Sequence, residues 1–124
     1  MSKIAFGEYL RKLRTERKLT MRQLAKMANI SPYYISFMEN GKKTNPDIQI
    51  MGRMANAMKL NKQEIEHFLD LHAKANGYVS YDIAEYIMQH DEIRRMIRSE
   101  RDKVGASPSF EDFLEKFIKN DDND

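Results

Sequence analysis

The sequence has no cysteine in its 124 residues, only five glycines and three prolines, and no apolar run near the roughly 18 residues of a membrane-spanning helix. Without cysteine there is no disulfide framework, no thiol nucleophile and no thiolate metal site, which fits a reducing intracellular setting. The opening MSKIAFGEYL lacks a signal peptide's long apolar core, so a cytoplasmic location is expected. No glycine-rich phosphate loop and no nucleophile elbow occurs. His67 and His72 are five apart, a spacing that does not suit two ligands on one helical face, and His90 beside Asp91 is too little for a metal site. No enzymatic activity, no cofactor and no metal are therefore expected, and the histidines read as core-lining or surface residues.

Hydrophobic residues make up 41% of the chain, enough for the core of one compact domain or a small domain with an accessory piece. The net charge of +2 conceals an uneven distribution. Residues 1–60 hold 12 Lys/Arg against 4 Asp/Glu, whereas residues 61–124 hold 9 against 15. A basic first half and an acidic second half describe a polyanion-binding module with an appendage that stays clear of the polyanion.

Apolar spacing is helical throughout, with no strand-like alternation and no internal repeat. Phe6, Leu10 and Leu13 define an amphipathic first helix from about Ile4 to Lys18, whose outward face carries Arg11, Lys12, Arg17 and Lys18. From Thr20 to Gly41 the chain reads TMRQLAKMANISPYYISFMENG, two short helices with a tight turn between them. Thr20 and Gln23 have the form of a capping box, with Leu24, Ala25 and Met27 facing inward behind it. Asn29 suits the left-handed turn, Ile30 can drop into the core, Ser31 is a good N-cap and Pro32 a good first helical residue. Tyr34, Ile35 and Met38 follow at helical spacing, and Gly41 marks the stop.

At Leu19-Thr20, Gln23-Leu24-Ala25, Ile30-Ser31-Pro32, Tyr34-Ile35-Ser36 and Glu39-Asn40-Gly41 the chain resembles the phage-repressor/Cro-type (XRE) helix-turn-helix DNA-binding regulators. The likeness runs from near Phe6 to about Phe68. It implies an all-α fold: a five-helix, lambda-repressor-like DNA-binding domain at 1–76, with a C-terminal helical extension at 77–124 for dimerisation or partner binding. It also implies that Arg14 pairs with Glu39, tying the first helix to the end of the recognition helix. That helix would enter the major groove, with Pro32, Tyr33, Ser36 and Phe37 facing the bases. Here the sequence departs from the family's habit of Gln and Arg, because Tyr33 and Phe37 offer mainly apolar contact. Thr20 and Arg22 before it, and Asn40, Lys42, Lys43 and Thr44 after it, are the expected phosphate contacts, which set register rather than sequence.

Two functions remain open at this point. The resemblance implies binding of double-stranded DNA by a homodimer and transcriptional repression at an operator, in a nucleoid-associated protein of bacterial or phage origin. The alternative is a protein-interaction module, antitoxin-like or adaptor, that docks a protein through Tyr33 and Phe37. The basic rim of Arg22, Lys42 and Lys43 separates them, since only DNA requires it.

Beyond the motif, Asn45 or Thr44 is expected to cap a fourth helix opened by Pro46, with Ile48, Met51, Ala55 and Met58 inward. Gly52 in its middle is worth about 1 kcal/mol less than alanine there, a cost that close packing would explain. Asn61 and Glu64 form a second capping box before a fifth helix bearing Ile65, Phe68, Leu69 and His72, closed at Asn76-Gly77. Ser80 can cap a helix bearing Ile83, Tyr86 and Ile87, and another run bears Ile93, Met96 and Ile97. After a break from Val104 to Pro108, Phe110, Phe113, Leu114, Phe117 and Ile118 form an apolar stripe at i, i+3, i+4, i+7, i+8. That much apolar surface needs cover, either on its own chain or on a second copy; the resemblance, to a family that commonly reads DNA as two-fold dimers, favours the second copy. A protein or small-molecule effector acting on the extension is also allowed. The last five residues read as a disordered acidic tail.

Overall fold

The computed structural model describes residues 2–43, 45–103 and the single position 115, with side chains from residue 5 onward. Thr44, the 104–108 break, the Phe110 to Ile118 stripe and the acidic tail lie outside the described residues. What is described is all α-helical: α1 (Ser2–Glu16), α2 (Met21–Ala28), α3 (Pro32–Glu39), α4 (Ile48–Ala57), α5 (Lys62–Asn76), α6 (Tyr81–Gln89) and α7 (Asp91–Lys103). The chain divides into two compact units, Met1–Glu85 and Tyr86–Asp124, with the boundary inside α6. None of the described helices is long and apolar enough to cross a membrane.

In the first unit α1 packs on α3 and α5, and α2 packs on α3 and α4. Phe6, Leu10 and Leu13 are buried, as the helical period requires, together with Leu24, Ala25, Ala28, Ile35, Met38, Met51, Met54, Met58 and Phe68. The Phe6 and Phe68 rings stack at 5.4 Å between centroids, joining the two ends of the unit. Two inward assignments change. Met27 is 52% exposed, whereas Ala28, whose carbonyl meets Arg53 of α4, is buried. Ile65 of α5 is exposed as well, whereas the inner face of α4 holds: Met51, Met54 and, just past its end, Met58 are buried, with Ile48 and Ala55 half-buried against the same core.

The first five helices end alike. Lys18, Asn29, Gly41, Lys59 and Gly77 adopt left-handed φ of 57°, 57°, 76°, 52° and 75°. In each case the next amide turns back onto the helix, as from Leu19 to the Arg14 carbonyl (3.2 Å) and from Leu60 to the Ala55 carbonyl (3.1 Å), satisfying a carbonyl that the helix leaves open. Lys18 is therefore a turn residue just past α1 rather than part of its outward face. Arg17 is not a free surface charge either. Its guanidinium donates to the Met58 carbonyl, to the Leu13 carbonyl at 3.1 Å and to Glu64 Oε1 at 2.8 Å, stapling α1 to the approach of α5.

The start of α4 also differs from the expectation. Asn45 does not cap it and Pro46 does not open it; Asp47 is the N-cap, its Oδ1 accepting from the Ile50 amide at 2.8 Å. Pro46 is instead buried, and its carbonyl accepts from His72 Nε2 at 2.9 Å. Tyr78 adds a bond from its hydroxyl to Asn45 Oδ1 at 3.1 Å, so the end of α5 holds the loop that follows α3. Burial lowers the His72 pKa from its ordinary value of 6.5, against the opposing pull of the Pro46 carbonyl. The unfolded chain thus takes up this proton more readily than the folded one. Stability should be fully present above about pH 6.5 and fall as the pH drops toward the folded pKa. Urea titrations at neutral and mildly acidic pH should show the loss, with a shallower slope in His72→Gln.

Gly52 is not held by close packing. A Cβ built there meets nothing within 4 Å. Gly52→Ala should therefore stabilise the protein by about 1 kcal/mol, read as a Tm increase of roughly 4–8 °C. An unchanged or lowered Tm would contradict the open space seen beside the helix.

Candidate nucleic-acid interface

The local geometry of α2 and α3 follows from their caps. Thr20 Oγ1 accepts from the Gln23 amide at 3.0 Å, and Gln23 Oε1 accepts from the Thr20 amide at 2.8 Å, a complete capping box. Asn29 makes the left-handed exit, and Ser31 Oγ accepts from the Tyr34 amide at 3.1 Å to start α3 with Pro32 as its first residue. The period of α3 then places Ile35, Met38 and Glu39 inside. The opposite face is left to Pro32, Tyr33, Ser36 and Phe37. Pro32 is exposed and Ser36 half-buried; Tyr33 is 76% and Phe37 41% exposed, side by side one turn apart. Asn40 Nδ2 donates to Ser36 Oγ at 3.4 Å, linking an expected phosphate contact to an expected base contact.

Around this face the exposed polar groups are Thr20 and Arg22 at the start of α2, and Asn40, Lys42 and Lys43 after α3. Arg22, Lys42 and Lys43 form no ion pair among the described residues, so their charges remain available to an anion. Thr44 lies outside the described residues. The chemistry on offer is a basic, hydrogen-bonding rim around two aromatic rings, with no acid, base or nucleophile at its centre. No cluster of three or more His, Asp or Glu able to hold a metal occurs among the described residues.

The face is held from behind by Arg14 and Glu39. Arg14 Nε donates to Glu39 Oε2 at 2.6 Å and Nη2 to Oε1 at 2.9 Å, while Nη1 reaches the Leu19 carbonyl at 2.7 Å. One buried guanidinium thus fixes the last residue of α3 and the residue before the α2 cap. Two further supports are not evident in the sequence. Arg53 Nε donates to the Ala28 carbonyl at 2.7 Å, gripping the end of α2 from α4. Gly7 lets α1 meet the carbonyls of Met38 and Glu39, where a Cβ would lie 2.4 and 2.6 Å from the two oxygens. A glycine inside an amphipathic pattern signals close approach at Gly7 and nothing at all at Gly52; only the partner helix distinguishes them.

Two helices joined by this turn, with the second presenting an exposed outer face, define a helix-turn-helix domain. Residues 10–65, a little under half of the chain, match the helix-turn-helix family. It is a DNA-binding family without enzymatic activity. Over 56 residues the chain is 46% identical to the HTH-type transcriptional repressor RghR of Bacillus subtilis (strain 168), covering 45% of this chain and 42% of that protein. It is 44% identical over 55 residues to RghRB of the same organism, an uncharacterized HTH-type transcriptional regulator, covering 44% and 40%. The chain thus matches about two-fifths of the length of these curated relatives.

Proposed function

We propose that this protein binds double-stranded DNA in a sequence-dependent manner, as a homodimer, and represses transcription from the site it occupies. The observation that carries this reading is the outer face of α3, where Tyr33 and Phe37 stand exposed inside a rim of unpaired cations. The likeness to RghR, a transcriptional repressor, supports the outcome. Pro32, Tyr33, Ser36 and Phe37 are the proposed base contacts; Thr20, Arg22, Asn40, Lys42, Lys43 and Thr44 are the proposed phosphate contacts. Apolar rings meet thymine methyl groups but give little hydrogen-bond discrimination, so DNA shape carries part of the specificity. The proposed dimer contact is the stripe of Phe110, Phe113, Leu114, Phe117 and Ile118, supported in the second unit by the exposed Tyr86, Met88, Met96 and Ile97. Removing residues 106–124 should convert a dimer to a monomer in sedimentation; a dimer that survives rules the stripe out.

Fluorescence anisotropy on DNA from upstream of the protein's own gene and on scrambled DNA, each over a salt series, tests the main claim. Tight binding to the first alone, lost in Tyr33→Ala/Ser36→Ala, is expected. Lys42→Ala and Lys43→Ala should each weaken binding to all sequences and lower the salt slope by about one. Equal, weak and steeply salt-dependent binding to both DNAs would instead favour a protein partner at Tyr33 and Phe37.

A further inference from the structure

Helix α4 and the stop that follows it carry two residues in each other's natural place. Gly52 is in the helix body, where any side chain would favour the helix more, and an added Cβ meets nothing within 4 Å. Lys59 is at the left-handed stop with φ 52°, where glycine is the unstrained choice. Both line the same groove, about 610 Å³, between α4 and α5. That volume is in the range of small-molecule sites, roughly 300–1,000 Å³. Ile48, Ile65 and Leu69 give it apolar walls, and its polar groups, Asn56 and Lys59, gather where α4 ends. Lys59 is exposed and has no carboxylate partner among the described residues.

We propose that this groove binds an amphipathic monocarboxylate, with its alkyl chain laid in the space left by Gly52 and its carboxylate on the Lys59 ammonium and the Asn56 amide. One ammonium and one amide match a single negative charge shared by two oxygens, rather than the dianion of a phosphate monoester. Helix α4 rises about 7–8 Å from Gly52 to its last residue, Ala57, with Lys59 just beyond, a span within the reach of a medium-length alkyl chain.

Calorimetric titration of the full chain with decanoate, and with decanol as the uncharged control, tests this. Saturable one-to-one binding of decanoate is expected, with decanol weaker by roughly three- to five-fold, the contribution of one exposed ion pair. Gly52→Leu fills the groove while suiting the helix, so it should keep its circular dichroism, hold or raise its Tm as Gly52→Ala does, and lose at least about ten-fold in decanoate affinity. Lys59→Gly should bring decanoate down to the level of decanol and leave decanol unchanged. Absence of saturable decanoate binding, or binding that Gly52→Leu leaves intact, overturns the proposal. So does a Gly52→Leu chain that loses self-association in sedimentation while the parent ignores decanoate, because the groove is then an interface between copies.

Discussion

Glu39→Ala should cost about 3–5 kcal/mol of stability, a large share of the 5–15 kcal/mol typical of small domains. Its carboxylate is almost wholly enclosed and takes two charge-assisted bonds from Arg14, at 2.6 and 2.9 Å. With the carboxylate gone, Arg14 keeps its bond to the Leu19 carbonyl but has a buried charge without a counterion. Most of the penalty comes from that stranded charge, not from the attraction lost. The double variant Arg14→Met/Glu39→Leu should accordingly recover the larger part of it, since apolar groups of similar volume need no counterion. Urea denaturation followed by circular dichroism measures all three proteins. A Glu39→Ala loss below about 1 kcal/mol would place the pair among ordinary surface ion pairs and contradict its burial.

Gly7→Ala is expected to be nearly as damaging, although it adds a single methyl group and improves helix propensity. The new Cβ would sit 2.4 Å from the Met38 oxygen and 2.6 Å from that of Glu39, inside van der Waals contact with backbone that no rotamer change can move. Either α1 or the end of α3 must shift, at a cost of roughly 3 kcal/mol. The Tm should fall by more than about 10 °C in a unit of this size. Because the displaced carbonyls belong to the end of α3, DNA binding should weaken even at temperatures where the variant remains folded. The contrast with Gly52→Ala makes a strict pair: the same substitution, in two helices, with opposite expected signs.

Much of the fold is legible in the sequence because its instructions are local. Caps at Thr20, Ser31 and Asn61 and stops at Asn29, Gly41 and Gly77 each rest on residues within one turn, and the apolar period of α1 and α3 points to their buried faces. The signals that mislead involve a choice between adjacent local devices or a distant partner. Asn45, Pro46 and Asp47 all suit a helix start; Asp47 prevails because His72 and Tyr78, far along the chain, hold the preceding loop. Arg17 reads as a surface cation until α5 brings Glu64 to it. Arg53 and the Ala28 carbonyl have no relation in sequence at all, and neither have Gly7 and the end of α3. For the candidate interface, the motif names the positions of Tyr33, Ser36 and Phe37. How far each ring stands out depends on packing behind α3, which the motif leaves unstated.

The left-handed stops bear on folding kinetics. Helices whose borders are fixed by their own residues can form on the sub-microsecond scale of helix–coil relaxation, before any of them has found a neighbour. The Phe6–Phe68 stack and the Arg17–Glu64 bond, by contrast, close a loop over most of the unit and bear the entropy of doing so. Docking of α5 on α1 is therefore the step that bears the loop-closure cost, and the same step brings His72 and Tyr78 to the loop that follows α3.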